Sequence, residues 1–371
     1  MLQLYRLGTV AWTDSHLFYH TLPRLGRQGI VLCRPDSAHL CLGYHTPAAE
    51  VDWEYCRREN LPVIRREVGG GLVYLDSNQV FYQVVVAPSS PLTRGRREDF
   101  YRRLLEPAKL ALAELGLRGE VRAPCDLWVG GRKISGNGAG EIAGHWVFVG
   151  NILLDFPPAR MAQALDAPDH FREAAGRMMD DHLTSLRREL GRAPAPEAVL
   201  EALARGFQAA LGPLAEGELN ETLQRAKEDV ARRLLSPGWL RASRPNPRER
   251  KLKIMEGVYL REVAGKAVTS TEDRGDAGDH ASQAGETEGF GCVHAPVAGS
   301  VAQASPVKPR TVGEGKEQTS SVAQAAMPPR TVADAQSAAN GGSRAITEQG
   351  GVGTGTNPAG GKRQGEGRAC G

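Results

Sequence analysis

The sequence predicts an α+β domain, with an antiparallel strand meander and a helical second half, ahead of a long tail without a fold. Three observations lead there. Strand and helix signals alternate, but without the regular rhythm of βαβ units. Two apolar runs are joined by Gly130-Gly131, a dipeptide suited to a hairpin turn. Beyond Lys266 the chain loses its large apolar residues.

In chain order, Ile30-Val31-Leu32-Cys33, His39-Leu40-Cys41-Leu42-Gly43 and Val63-Ile64-Arg65-Arg66 read as short strands. Leu72-Val73-Tyr74 and the run from Val80 to Val86, separated by a polar Asp76-Ser77-Asn78 corner, read as a hairpin. Glu98 to Leu115 places Phe100, Leu104, Leu105, Ala108, Leu112 and Leu115 on one face, which predicts a helix. Leu127-Trp128-Val129, Arg132 to Ser135 and the long run from Trp146 to Leu154 make the meander. From Pro158 to Leu235 the pattern is helical. Val199, Leu200, Leu203, Phe207 and Leu211 form one apolar stripe, and Leu219, Leu223, Val230 and Leu234 another, both expected to pack in the core.

Residues 267–371 contain no leucine, tryptophan or tyrosine, and Phe290 is their only aromatic. Ordering backbone costs about 1–2 kcal/mol per residue, which so few apolar groups cannot offset by burial. An imperfect echo runs through this stretch. Ser300 to Ala304 leads to Pro309-Arg310-Thr311-Val312, and Ser321 to Ala325 leads to Pro329-Arg330-Thr331-Val332. Two copies without leucines do not build a solenoid. A low-complexity disordered tail is the expectation.

The formal net charge of +3 is too small for the concentrated positive face that a nucleic-acid partner requires. No apolar run approaches the length of a membrane span, so no membrane association is expected. The start, Met1 to Arg6, lacks a basic segment followed by an apolar stretch, and so predicts no signal peptide. Cys33, Cys41, Cys56, Cys125, Cys292 and Cys370 form no CxxC pair and no Cys/His ligand spacing. That pattern suggests neither zinc nor a disulfide framework, but reduced thiols in a cytoplasmic protein.

Two segments carry the chemistry. The first is Arg65-Arg66-Glu67-Val68-Gly69-Gly70-Gly71-Leu72-Val73-Tyr74-Leu75-Asp76. Three consecutive glycines between strands are costly in backbone entropy. They suit a place where a ligand approaches bare amides, and two upstream arginines suit a carboxylate or phosphate. A glycine-rich bulge with solvated arginines is the plain alternative. The second segment runs Cys125-Asp126-Leu127-Trp128-Val129-Gly130-Gly131-Arg132-Lys133-Ile134-Ser135-Gly136-Asn137-Gly138-Ala139-Gly140. Lys133 follows a tight turn and precedes a glycine cluster, where an ammonium can stabilise charge growing on a carbonyl or phosphoryl oxygen. Asp126 on the opposite strand could orient it or hold a metal; a solvated hairpin tip is the alternative. Lys133 lacks the preceding glycine and following Ser or Thr of a P-loop, and no βαβ context makes Gly136 to Gly140 a dinucleotide site.

Together the two segments resemble the lipoate–protein ligase branch of the biotin/lipoate ligase superfamily. That branch carries RRxxGGGxVYxD, matched by Arg65-Arg66, Gly69-Gly70-Gly71, Val73-Tyr74 and Asp76. It also carries NDxxxxGRKISG, matched by Asp126 and by Gly131-Arg132-Lys133-Ile134-Ser135-Gly136. Gly150-Asn151-Ile152-Leu153-Leu154 resembles the strand that follows. The resemblance implies a mixed, largely antiparallel sheet flanked by helices, forming a catalytic domain over residues 1–240. It implies ATP and Mg²⁺ as cofactors, lipoate activated as lipoyl-AMP, and transfer to a lysine of a lipoyl acceptor domain. The acceptor would be a 2-oxoacid dehydrogenase E2 component or a glycine-cleavage H-type protein. Lys133 matches the essential lysine. Arg65, Arg66 and the Gly69–Gly71 loop would line the acyl and phosphate cleft, with Asp76, Asp126, Ser135 and Gly136 among the substrate-binding positions. Val73, Tyr74 and Val149 would wall the acyl channel. Residues 241–266 would be a linker or the remnant of an accessory domain.

The sequence departs from the pattern at Cys125, where the ligases have asparagine, at Leu75 in place of histidine, and at Val149-Gly150 in place of His-Gly. Relatives on this fold include octanoyl- and lipoyl-transferases that form a thioester on a cysteine. Cys125, eight positions before Lys133, is therefore the candidate nucleophile of a transferase using an acyl carrier or lipoyl-protein donor. A biotin ligase and a non-catalytic lipoyl-domain-binding protein are the remaining readings.

Overall fold

A computed structural model describes residues 1–122, 125–242, 250–255, 257–263 and 265–271. The expected tail from residue 272 onward, its internal echo, Cys292 and Cys370 lie outside the described residues.

The chain opens with β1 (Gln3–Val10), α1 (Asp14–Thr21), β2 (Gly29–Pro35), β3 (His39–Leu42) and α2 (Trp53–Arg58). Then follow β4 (Val63–Arg65), β5 (Val73–Leu75), β6 (Gln79–Val86), α3 (Arg97–Glu114), β7 (Glu120–Arg122), β8 (Asp126–Val129), β9 (Arg132–Ser135), β10 (Asn137–Ile142) and β11 (His145–Leu153). The second half holds α4 (Pro158–Gln163), α5 (Asp169–His182), α6 (Leu186–Leu190), α7 (Pro196–Leu211), β12 (Ala215–Glu216), α8 (Glu221–Leu234) and α9 (Pro237–Leu240). It ends with β13 (Lys251–Met255), β14 (Val258–Val263) and β15 (Lys266–Thr271).

The architecture is α+β, with a mixed, largely antiparallel main sheet flanked by helices. Its strand order is β10-β11-β6-β2-β1-β12. The β10–β11, β11–β6 and β6–β2 pairs are antiparallel, while β2–β1 and β1–β12 are parallel. Strand β6 is buried along its whole length, which explains an apolar run without polar alternation. Its Val80, Tyr82, Val84 and Val86 face α3 and α7; its Phe81 and Val85 face α1 and α8. Helices α3 and α7 approach closely because Gly206 sits against the Pro107 carbonyl, where a Cβ would come within 2.2 Å.

Three features differ from the sequence reading. The Leu72–Tyr74 and Val80–Val86 runs do not form a hairpin. Strand β5 joins β3 and β4 in a small second sheet, and β6 joins the main one. The Asp76 corner diverts the chain: its carboxylate accepts the Asn78 N–H at 2.9 Å, and the Gln79 side chain caps the Tyr74 carbonyl at 3.1 Å. The meander is likewise split. β7-β8-β9 form their own sheet, and the glycine-rich stretch after Ser135 is strand β10 at the edge of the main one. In the stretch expected as linker or remnant, β13 and β14 form an antiparallel sheet with β15, so residues 267–271, expected in the tail without a fold, are instead a paired strand. The sheet's Ile254 and Leu260 share a core with Phe171 and Met178 of α5.

Candidate active site

The β8–β9 hairpin positions the lysine. Gly130 and Gly131 both have positive φ, +55° and +79°, the requirement of a type I′ turn whose twist matches that of the strands. This register places Asp126 and Lys133 on one face, with Lys133 Nζ 3.0 Å from Asp126 Oδ1. Asp126 is 2% exposed and Lys133 17%. The ammonium is therefore held by a buried carboxylate while keeping a path to solvent. The Lys133 carbonyl accepts the Thr184 N–H at 2.9 Å, docking the chain after α5 against β9. A Cβ on Gly136 would lie 3.8 Å from Lys133 Cε.

Beside the lysine, Tyr82, Ser135 and Asn137 form a buried polar knot. The Tyr82 hydroxyl lies 2.6 Å from Asn137 Oδ1 and 2.9 Å from Ser135 Oγ. Asn137 Nδ2 donates to the Cys125 carbonyl at 2.8 Å. Burial pushes the Tyr82 hydroxyl well above its usual range, so it stays protonated. Cys125 itself packs with Leu127, Ile134 and Phe148 in the core under the main sheet. The Cys125 thiol is buried and lies 3.8 Å from the Asn137 carbonyl.

The arginines of the first motif hold backbone. The Arg65 side chain is fully buried and donates to the carbonyls of Gly43, Thr46 and Leu240. Arg66 donates to Gly69, Gly71 and Cys41 carbonyls at 2.9–3.1 Å. The Arg66 guanidinium thus shapes the Gly69–Gly71 loop from within, while that of Arg65 holds the Gly43–Thr46 turn and the end of α9. Gly43 lies so close beneath it that a Cβ would meet the Gly70 carbonyl oxygen at 1.7 Å. Gly70 has φ +104°, open to glycine almost alone.

The glycines of the two motifs meet. Gly69 N–H donates to the Ala139 carbonyl at 3.2 Å. A Cβ on Gly138 would stand 3.1 Å from the Gly69 carbonyl oxygen, and one on Gly140 3.1 Å from Val68 Cα. The loop thus lies directly on β10. Gly70 and Gly71 N–H groups make no hydrogen bond within the described residues, which leaves two amides for an anionic group.

Val73 and Tyr74, expected on one channel wall, point apart. Val73 packs toward the cluster that Val149 also borders. Tyr74 packs on the other side of the small sheet, with its hydroxyl accepting Arg160 Nη1 at 3.3 Å. Asp76 is buried at the corner, and burial raises its pKa although Asn78 and Gln79 hydrogen-bond it.

Residues beyond either motif complete the arrangement. Glu67 accepts from Arg24 at 2.6 Å and pairs with Arg233 at 2.9 Å. Burial alone would raise its pKa, but the surrounding charge lowers it. His20 is neutral here, since its Nε2 accepts the Glu67 N–H and its Nδ1 donates to the His16 carbonyl; the two guanidiniums therefore supply the positive charge. Trp239 Nε1 donates to the Arg65 carbonyl at 3.0 Å, under the Arg233 guanidinium. Helices α8 and α9 thereby clasp the segment leading into the glycine loop. Sequence reasoning missed Gly43, Glu67, Gln79, Tyr82, Asn137 and Asn151. The available signal was polar or glycine residues inside strands that otherwise read as apolar.

A family model, the lipoyl protein ligase A/B catalytic domain, matches residues 11–208. The chain belongs to this family. It is 31% identical over 229 residues to the octanoyltransferase LipM of Kyrpidia tusciae, covering 55% of this chain and 83% of that relative. It is 36% identical over 124 residues to a lipoate–protein ligase of Streptococcus pyogenes, covering 33% of this chain and only 34% of that relative. The bipartite lipoate protein ligase of Thermoplasma acidophilum, from a study that includes its E2 lipoyl domain, superposes with a TM-score of 0.58 at 21% identity. That match covers 66% of this chain and 98% of that one, and it establishes the shared fold. Lipoate ligases and octanoyltransferases are enzymes, and this chain is an enzyme of their family.

The described residues offer no all-protein cage for magnesium. Among the described residues, no three His, Cys, Asp or Glu side chains come together as a metal site, and Asp126 is committed to Lys133. A divalent ion would come with nucleotide phosphates. No helix among the described residues is long and apolar enough to cross a membrane.

Proposed function

We propose that the chain is an ATP-dependent lipoate–protein ligase whose residues 1–240 form the catalytic domain. One observation carries the reading: Lys133, anchored by buried Asp126, stands beside a glycine-lined floor while Cys125 faces the core. In the first half-reaction the lipoate carboxylate attacks the α-phosphorus of ATP and expels pyrophosphate, forming the mixed anhydride lipoyl-AMP. Lys133 neutralises the anionic oxygens that must approach one another, and the Gly70 and Gly71 amides offer hydrogen bonds to them. In the second, the amine of an acceptor lysine attacks the acyl carbon. AMP leaves and an amide forms, with Lys133 holding the charge on the departing phosphate. The loop's packing on β10 keeps water from the anhydride. The acceptor is a lipoyl domain, of a 2-oxoacid dehydrogenase E2 component or a glycine-cleavage H-type protein.

A second reading is an octanoyl- or lipoyl-transferase, favoured by the match that spans 83% of LipM. It needs a thiol near Lys133, and each cysteine among the described residues is buried. The test follows the mass of a lipoyl acceptor domain in two arms. One contains lipoate, ATP and Mg²⁺; the other contains octanoyl–acyl carrier protein without ATP. Mass gain in the first arm, retained by Cys125→Ala and lost by Lys133→Ala, is expected. Gain confined to the second arm overturns the ligase reading.

A further inference from the structure

Gln79 and Asn151 occupy one face of the main sheet. Leu153 of β11 pairs with Gln79 of β6, and Asn151 stands two residues away on the same side of β11. This makes the two amides a diagonal cross-strand pair. Asn151 Nδ2 donates to Gln79 Oε1 at 2.7 Å. The outer ends of the pair reach the two motifs. Asn151 Oδ1 accepts the Gly136 N–H at 2.7 Å, in the segment that carries Lys133. Gln79 Nε2 donates to the Tyr74 carbonyl at 3.1 Å, just beyond the glycine loop, and the same side chain hydrogen-bonds the buried Asp76 carboxylate.

These four groups fix the direction of every bond. Gly136 supplies a hydrogen, so Asn151 must present oxygen to it and nitrogen to Gln79. Tyr74 supplies a carbonyl, so Gln79 must present nitrogen to it and oxygen to Asn151. Neither amide can flip without setting oxygen against oxygen or hydrogen against hydrogen. The Gln79 side chain is fully buried, so water cannot repair an error there.

We infer that the Gln79–Asn151 pair is a positioning clamp that sets the Lys133 segment at a fixed distance from the glycine loop. Neither residue needs to touch substrate. The clamp holds Gly136 against the lysine's Cε on one side and the chain leaving the loop on the other. The inference rests on the reading of Lys133 as the residue that handles the acyl group. It holds equally for ATP and acyl-carrier donors.

The test uses the full chain and isosteric variants. In Asn151→Asp and Gln79→Glu, one amide becomes a carboxylate that only accepts hydrogen bonds at neutral pH. Acyl transfer is measured in whichever of the two arms the unaltered protein uses. The expected result is a kcat lower by on the order of 10²-fold with little change in KM, the effect of a small misplacement of reacting groups. Protonation restores a donor, so the deficit relative to the unaltered protein should shrink between pH 8 and 5.5, most cleanly in Asn151→Asp, because the carboxylate of Gln79→Glu also faces Asp76. Gln79→Leu should show a deficit that does not change with pH. Hydrogen exchange supplies a readout independent of activity. Gln79→Leu should speed exchange at Gly136 as well as in residues 69–76. A pH-independent deficit in both acidic variants, or exchange altered at only one end, overturns the clamp. Activity confined to the acyl-carrier arm would overturn the ligase reading alone.

Discussion

Lys133 Nζ and Asp126 Oδ1 are 3.0 Å apart, and the carboxylate is the more deeply buried of the two. The lysine is therefore one of the groups that compensate the buried carboxylate. Lys133→Ala should abolish acyl transfer. It should also cost stability, about 1–3 kcal/mol, as removing one charged partner of a buried group does. Lys133→Ala combined with Asp126→Ala should regain most of that stability and none of the activity. Urea unfolding beside the acceptor-mass assay separates the two effects. Recovered activity in the double variant would remove Lys133 from the chemistry.

Cys125 is buried in the core, with its thiol against the Asn137 carbonyl. Cys125→Ala should lower stability by roughly 1 kcal/mol, as loss of a small buried group does, and leave the lipoate-and-ATP rate within about twofold of the original, a barrier change under 1 kcal/mol. A collapse of the rate in a variant with a normal melting curve would show the thiol to be the nucleophile.

The glycines of the site are not equivalent. Gly43→Ala places a methyl group against the Gly70 carbonyl, which must then move. A destabilisation of about 1–3 kcal/mol or more is expected, with loss of activity as the loop lifts. A Cβ on Gly71 would meet nothing within 4 Å, and the backbone there has no positive φ. Gly71→Ala should therefore fold normally, and an equal loss of stability in both variants would contradict the packing described.

Burial holds His16, His20 and His39 at pKa values of about 3, with Arg66 and neighbouring charges or rings as lesser contributors. Their hydrogen bonds agree. His39 Nδ1 faces the Ser37 carbonyl, so its Nε2 accepts from His16 across 2.8 Å. Unfolding raises each to about 6.5, so between pH 3 and 6.5 the unfolded chain binds more protons. The stability that these residues contribute is present above pH 6.5 and is lost as pH falls. At pH 5 the loss should be on the order of 2 kcal/mol per histidine. A urea midpoint unchanged from pH 7 to pH 5 would contradict it.

Much of the fold was legible because each long element carries its own period. The α3 stripe from Phe100 to Leu112 and the unbroken β6 run were visible for that reason. The partnering of β5 was not, because the Asp76 corner reads like a hairpin turn and only tertiary pairing sends the strands to different sheets. At the site, the proximity of Lys133 and Asp126 followed from hairpin spacing. The Arg65 and Arg66 partners did not, since sequence marks an arginine as a cation without revealing that carbonyls 22 and 25 positions earlier in the chain surround it. Asn151 and Gln79 were invisible for a related reason: a side-chain amide acquires a role only from the strand beside it.

The clasp on Arg65 has a temporal consequence. Leu240, whose carbonyl receives the Arg65 guanidinium, is separated from it by 175 residues. The region matched by the family model ends at residue 208, before α8 and α9 are made. On the ribosome, the glycine loop and its Arg66 contacts are made well before the α9 partners of Arg65. A nascent chain halted near residue 220 would lack the Trp239 and Leu240 partners of Arg65. The last partners of Glu67 and Arg65 would arrive late, with the emergence of Arg233, Trp239 and Leu240.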